Sequence, residues 1–174
     1  MVRAIASAAA LAGLLLLLVA AAPAAAATPF RIDQTRIGRA PLGKPAAFYR
    51  TAYATSARRA ADDDGFDRLR FAEWHLTILF APGKDVAVGA ITWAARNTTA
   101  LGVGPCSSAR TLLAAYGKRL TRVAHGSGID AYRLGRLVFV VGSDGFVSNV
   151  ALLAPGVSVG PALAAPACGL PSVG

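Results

Sequence analysis

Residues 101–117, LGVGPCSSARTLLAAYG, join a glycine- and proline-rich entry to a run with the spacing of a helix. Ser107 or Ser108 is suited to cap the helix N-terminus, because a serine hydroxyl accepts a hydrogen bond from a free backbone N–H of the first turn. The apolar side chains after it recur at helical spacing: Leu112, Leu113, Tyr116 and Leu120. This stretch therefore predicts a helix entered through a tight turn.

The same plan occurs earlier in the chain. Ile37, Gly38 and Pro41 have the spacing of Leu101, Gly102 and Pro105, and a second set of apolar positions at helical spacing follows: Ala46, Phe48, Tyr49, Ala52 and Tyr53. In each half, two apolar segments joined by a turn come after the helix: FAEWHLTILF (71–80) and DVAVGAITWAA (85–95), then YRLGRLVFVV (132–141) and FVSNVALL (146–153). Helix, strand, turn and strand thus occur twice, which predicts repeat units at about 35–95 and 99–153.

These units predict an α+β fold. Two tandem helix-strand-strand units would form one antiparallel sheet of about four strands, with both helices packed on one face and the other face partly open. A single domain would cover residues 28–153. Residues 154–174, rich in proline, glycine and alanine and without charge, predict an irregular tail.

Residues 1–27 have the layout of a secretory signal peptide. Arg3 is followed by the apolar run LAGLLLLLVAAA and by small residues that end in an A-x-A site, so cleavage is expected before Thr28. The alternative is an uncleaved membrane anchor, the one way in which we expect the chain to contact a membrane. Both interpretations place the folded part outside the cytoplasm, secreted or at the cell envelope.

The chain is strongly basic, with 18 Lys and Arg against 9 Asp and Glu and a formal net charge of +9. The arginines are scattered, and no basic run is interleaved with aromatic residues, so we expect no nucleic acid partner. The charge predicts a solvated surface with weak attraction to an anionic envelope polymer.

Cys106 and Cys168 are the two cysteines of the chain. In an exported protein an even cysteine count favours a disulfide, which would also hold the tail. One alternative is a nucleophilic Cys106 at a helix N-terminus, with His75 or His125 as general base. Another is a phosphate cradle at residues 102–104, although the full glycine-rich motif is absent.

Glu73, His75 and Thr77 alternate with apolar residues in the segment 71–80 and are predicted to share the open face of a strand. We predict this face as a partner-contact surface, and an acid–base pair of Glu73 and His75 is the catalytic alternative. The acidic run at residues 62–65 lacks the ligand order of a calcium loop. With two histidines, and cysteines that we expect to be paired, we predict no metal, cofactor or catalytic site.

The repeated entry and helix resemble the tandem helix-hairpin units of two groups of small exported bacterial proteins. These are the beta-lactamase inhibitory proteins and the outer-membrane-assembly lipoproteins of the SmpA/OmlA type. Five positions follow their pattern in order, with two extra residues between the glycine and the serine: Leu101, Gly104, Ser108, Leu112 and Gly117. The first half matches at Gly43, Phe48 and Tyr53.

This resemblance implies a binding module without catalysis. Our prediction is an exported, non-enzymatic protein that binds an extracellular or envelope protein or an anionic envelope polymer. An inhibitor or regulator of an extracellular enzyme is the alternative, and a small thiol enzyme that uses Cys106 is a further one.

Overall fold

A computed structural model of the chain describes residues 30–54, 57, 59–61 and 64–169. The predicted signal segment 1–27 lies outside the described residues. Within the described ranges, no helix has both the length and the apolar character needed to cross a bilayer.

The described residues form ten strands and three short α-helices. The strands are β1 (Arg36–Ile37), β2 (Ala40–Pro41), β3 (Arg59–Ala61), β4 (Asp67–Phe71), β5 (Leu76–Phe80), β6 (Ala87–Thr92), β7 (Thr121–Gly126), β8 (Ile129–Leu134), β9 (Leu137–Val141) and β10 (Val147–Leu153). The helices are α1 (Ala46–Ala52), α2 (Ala109–Tyr116) and α3 (Gly160–Leu163). Single 3-10 turns cover Ala72–Trp74 and Gly117–Arg119.

Eight of the strands form one antiparallel sheet in the order β3-β4-β5-β6-β10-β9-β8-β7, and β1 and β2 form a separate two-stranded sheet. Each half of the chain contributes one helix and then four strands that pair in chain order. The halves meet where β6 pairs with β10, from Val150 opposite Thr92 to Leu153 opposite Gly89.

The prediction of a sheet of about four strands is wrong, because the main sheet has eight. In the second half, the segment 132–141 is two strands joined at Gly135, whose φ of 59° supplies the positive φ that a two-residue hairpin turn requires. The segment before it contains a second tight turn, at Ser127 and Gly128, where both residues have positive φ. Strands β7 and β8 flank this turn.

In the first half, the segment 71–80 is also divided. Strand β4 ends at Phe71, the 3-10 turn follows, and β5 begins at Leu76. His75 closes the turn with a φ of 48°, in the left-handed region where histidine is enriched among residues other than glycine. Strand β4 therefore precedes the turn as a separate strand, paired with β3 and with β5.

A hydrophobic cluster lies on each face of the large sheet. The first contains Tyr49 of α1 and Leu112 of α2 together with alternate residues of the strands, such as Phe139, so α1 and α2 pack on the same face. Ser108 caps α2 by accepting a hydrogen bond from the Thr111 N–H at 3.1 Å, as its position before the helix predicts. The second cluster contains Leu79, Ile91, Val138, Val140, Ala151 and Leu153 on the strands and Ala162 of α3.

The described part of the tail covers this second face. Asn149, which is fully buried, donates from Nδ2 to the Ala162 carbonyl at 3.1 Å, and the Ala154 N–H donates to the Val88 carbonyl at 2.8 Å. Cys106 and Cys168 form the predicted disulfide, across a sequence separation of 62 residues. Helix α3 is a short regular element within this part of the tail.

Candidate binding groove

The predicted contact face of Glu73, His75 and Thr77 does not exist as one strand face. Glu73 lies exposed on the 3-10 turn, and His75 caps that turn and packs edge-on against Trp93, with ring centroids 5.7 Å apart. Thr77 is buried on the second face of the sheet, beside residues of the second cluster. The strand geometry behind the prediction is wrong because the chain turns between Phe71 and Leu76.

The segment before α2 has a structural role. Cys106 is in the disulfide and carries no free thiol, and His75 and His125 contact Trp93 and Asp130 instead. The N–H groups of the proposed phosphate cradle are all used within the loop, where Gly102 donates to the Thr99 carbonyl and Gly104 to Ser107 Oγ. The Val103 N–H donates to Thr99 Oγ1. This loop therefore offers neither a thiolate nor free donors for an anion.

The acidic run also has internal partners where it is described. Asp64 pairs with Arg68, and Asp67 pairs with Arg59 at 2.5 Å. Asp62 and Asp63 lie outside the described residues. Among the described residues, no group of three metal-ligating side chains comes together.

Three neighbouring cavities lie around the 3-10 turn, the loop after β6 and the N-terminal described segment. The first is a cleft of about 460 Å³ with Arg70, Glu73 and Trp74 in its wall. A narrow cavity of about 10 Å³, lined by Trp74, Phe30 and Arg96, shares the Trp74 side chain with this cleft. The far cavity is a second cleft of about 320 Å³, lined by Phe30, Arg31, Arg96, Thr98, Thr99 and Ala100. Because neighbouring cavities share Trp74, Phe30 and Arg96, we call the three together the Trp74–Arg96 groove.

Two loops and the N-terminal described segment build the groove. The 3-10 turn presents Glu73 and Trp74, and Trp74 packs against Tyr53 at the end of α1, with ring centroids 5.3 Å apart. The N-terminal segment pairs with the loop after β6, since the Thr98 N–H donates to the Phe30 carbonyl and the Ile32 N–H to the Thr98 carbonyl. This pairing brings Phe30 and Arg31 to the far cleft.

The loop after β6 holds Arg96 in place. Thr92 Oγ1 accepts a hydrogen bond from Asn97 Nδ2 at 2.6 Å and one from the Ala94 N–H at 3.3 Å, which fixes the turn on both sides of Arg96. Thr92 Oγ1 also donates to the His75 carbonyl, and so ties this loop to the 3-10 turn.

Arg96 lies between two aromatic rings. Its guanidinium carbon is 4.8 Å from the centre of the Phe30 ring and 5.3 Å from that of Trp74. Such cation–π contacts orient the guanidinium plane without neutralising its charge. One of its N–H groups donates to the Glu73 carbonyl at 3.5 Å, which leaves most of its donors facing solvent.

Three charged side chains of the groove, Glu73, Arg31 and Arg96, have no partner of opposite charge among the described residues. Of the acidic side chains that the structure describes, Glu73 is the one whose carboxylate accepts no hydrogen bond and forms no ion pair; the others have these partners. In the same ranges, Arg31 and Arg96 have no carboxylate within ion-pair distance. The groove therefore presents one free carboxylate and two free guanidinium groups to a ligand.

Tyr53, which lines the narrow middle of the groove, is not an ionisable contact at neutral pH. Burial raises its pKa to about 12, against the opposing effects of its hydrogen bond and charge interaction with Arg39. The phenol stays protonated, and its ring serves as packing for Trp74. The groove thus has a wall of aromatic rings, with acidic and basic side chains beside it.

Most of the groove could not be found from the sequence. Glu73 was predicted as a contact residue, but Phe30, Arg31 and Arg96 are distant from it in sequence and carry no motif. The sequence signal for Arg96 is its position directly after the apolar segment 85–95, where a charged residue begins a loop.

Comparison with known proteins assigns no family. No family model matches the chain, and no curated protein matches its sequence. Among solved structures, an extracellular SCP-domain protein from Bacillus anthracis is similar at 7% identity and a TM-score of 0.47, over 66% of this chain and 44% of that chain. A DUF4309 family protein from Bacillus subtilis, YjgB, is similar at 22% identity and a TM-score of 0.38, over 63% of this chain and 78% of that chain. The chain spans less than half the length of the SCP-domain protein.

Proposed function

We propose that this chain is an extracytoplasmic, non-enzymatic binding protein that holds a segment of a partner protein in the Trp74–Arg96 groove. The observation that carries the proposal is the pair of neighbouring clefts: the Arg96 guanidinium lies over the rings of Phe30 and Trp74, which the clefts share with the cavity between them, and Glu73 and Arg31 line the clefts on either side. Aromatic and arginine side chains are the residues that most often dominate the binding energy of protein interfaces.

The extracytoplasmic location is supported by the disulfide. Such bonds persist in oxidising compartments and are rare in the cytosol of most cells. The predicted signal peptide at residues 1–27 is consistent with this location. Intact mass after alkylation with and without reduction, measured on exported protein, tests both the mature N-terminus and the pairing.

The non-enzymatic role is supported by the chemistry of the groove residues. Glu73, Arg31 and Arg96 offer a carboxylate and two guanidinium groups, and the neighbouring Thr98 and Ala100 add no activated nucleophile. Nucleophilic catalysis needs a nucleophile next to a base that a third group orients. The groove side chains are instead suited to ion pairing and to stacking on the partner.

The proposal is tested by capture from an extracellular or envelope fraction with matched variants. Arg96→Ala and Trp74→Ala remove the groove contacts, whereas Arg119→Ala removes a similar arginine–aromatic pair outside the groove, on Tyr116 at 5.9 Å. We expect one partner to be retained by wild type and Arg119→Ala and lost by both groove variants. Equal capture by all four proteins, each verified to be folded by circular dichroism, would contradict the proposal. A captured enzyme would then be assayed for inhibition.

A further inference from the structure

The two clefts of the groove carry opposite free charges. Arg31 and Arg96 line the far cleft, where among the described residues neither has an acidic partner. Glu73 lines the first cleft, and among the described residues its carboxylate likewise has no hydrogen-bond or ion-pair partner. Arg70 also lines the first cleft, but it already interacts with another group of the protein. The free negative charge thus lies in the first cleft, and the free positive charge extends from the middle cavity, which Arg96 also lines, into the far cleft.

Each end selects a different group on a ligand. Guanidinium groups bind carboxylates through paired, charge-assisted hydrogen bonds, and two of them in one cleft favour an acidic group there. A free carboxylate on an exposed turn binds an ammonium or guanidinium group. Between them, the rings of Phe30 and Trp74 offer stacking and apolar contact.

A uniformly anionic polymer does not match this order of charges. It would place negative charge against Glu73, and like charges brought together across an interface oppose binding. A uniformly basic ligand would meet the same penalty at Arg31 and Arg96. A polypeptide segment can carry both signs a few residues apart, and the two clefts have the volumes typical of ligand sites.

We propose that the groove recognises an extended peptide segment with an acidic side chain at the Arg31 and Arg96 end and a basic side chain at the Glu73 end. This inference rests on the proposed function and adds the chemical class of the ligand. It replaces the predicted attraction to an anionic polymer with recognition of a mixed-charge protein segment.

The test uses fluorescence anisotropy with three labelled synthetic peptides of equal length and blocked ends. One has an acidic block and a basic block separated by a tyrosine-containing spacer, one is acidic in both blocks, and one is basic in both. Polyglutamate serves as the anionic polymer. We expect wild type to bind the mixed peptide at least about tenfold more tightly than the other two peptides and polyglutamate.

Charge reversal at each end makes the test specific. Glu73→Lys should lower the affinity for the mixed peptide about tenfold and raise the affinity for the acidic peptide. Arg31→Glu should lower the affinity for the mixed peptide and raise the affinity for the basic peptide. Arg119→Glu makes the same charge change as Arg31→Glu outside the groove. It should leave the preference for the mixed peptide unchanged.

The outcomes separate this inference from the proposed function. One outcome overturns the inference alone: the acidic peptide or polyglutamate binds wild type as tightly as the mixed peptide, and Glu73→Lys does not change the affinity for the mixed peptide. The proposed positions of the acidic and basic ligand groups are then wrong, although binding in the groove stands. If no peptide binds while capture of a partner still depends on Arg96, the ligand is not such a segment and the inference is overturned. If capture is also independent of Arg96, the proposed function fails with it.

Discussion

At the scale of single residues, close backbone packing shapes the loop that carries Arg96. Gly104 lies against the chain at Asn97, where an added Cβ would be 2.0 Å from the Asn97 carbonyl oxygen. Asn97 cannot retreat easily, because its side chain is hydrogen-bonded to Thr92 Oγ1. Gly104, a residue of the predicted alternative anion cradle, is therefore required for close backbone packing.

We predict that Gly104→Ala lowers the free energy of unfolding by about 1–3 kcal/mol, because the new methyl group overlaps with backbone atoms that are held in place. Gly160→Ala is the matched control, since a Cβ there would meet only Ser158 Oγ at 3.7 Å. Urea unfolding followed by circular dichroism measures both. Equal midpoints for the two variants would contradict this account of the loop.

Replacement of Arg96 should affect partner binding much more than folding stability. The side chain is exposed and its stacking on Phe30 and Trp74 is a surface contact, so Arg96→Ala should cost at most about 1 kcal/mol of unfolding free energy. The same variant should abolish partner capture. A loss of several kcal/mol in urea unfolding would show that Arg96 is mainly a structural residue.

At the scale of elements, the sequence predicted the helices better than the strands. The apolar spacing located α1 and α2, and the turns at residues 81–84 and 142–145 were recognised because glycine and proline or aspartate interrupt apolar runs there. Gly135 was missed as a turn because a single glycine within an apolar run is equally compatible with a bulge. Strand β7 was missed because it is an edge strand with mostly exposed residues and lacks the alternation of a half-buried strand.

The hairpin of β7 and β8 depends on a cluster of charged side chains. Arg122 donates from Nε to Asp130 Oδ1 at 3.0 Å, and His125 Nδ1 lies 2.6 Å from the same oxygen. The hydrogen bonds from Arg122 and then from His125 hold the pKa of Asp130 below its ordinary value of 3.8. The Asp130 carboxylate therefore stabilises the hairpin at a pH above 3.8, and this contribution is lost as the pH falls through the lowered pKa.

We predict that Asp130→Asn lowers the melting temperature at pH 7, and that the difference from wild type shrinks once the pH falls below 3.8. Thermal unfolding by circular dichroism across this range measures the effect. Arg122→Ala should reproduce the loss at pH 7, because it removes the principal partner of the carboxylate. A difference between wild type and Asp130→Asn that is the same at pH 3 and pH 7 would refute the role of the ionised carboxylate.

At the scale of the whole molecule, the sheet is covered on both faces by different parts of the chain. Helices α1 and α2 cover the first face, and the described tail covers the second, where Leu79, Ile91 and Leu153 are fully buried. The pairing of the cysteines was predictable from their number and setting. The path of the tail across the second face was not, because its small residues carry no periodic pattern. The tandem repeat and the resemblance to the inhibitory proteins stay predictions.

We predict that removing the disulfide loosens this cover. Cys106→Ser with Cys168→Ser should lower the free energy of unfolding by about 2–4 kcal/mol, since the crosslink restricts the unfolded chain. Release of the tail should also expose the second cluster and raise the fluorescence of a hydrophobic dye. An unchanged melting temperature and unchanged dye binding on reduction would show that noncovalent contacts alone hold the tail.

The most direct measurement of the central claim is site-specific photo-crosslinking of the exported protein in its own envelope or medium fraction. A photoreactive amino acid is placed at Ala72 in the first cleft and at Ala100 in the far cleft, both of which are exposed, and at the exposed Lys118 as a control outside the groove. We predict that the two groove positions crosslink to the same partner protein, that Lys118 does not, and that Arg96→Ala removes both crosslinks. Crosslinks to that partner from Lys118 alone, or from all three positions regardless of Arg96, would contradict binding in the groove.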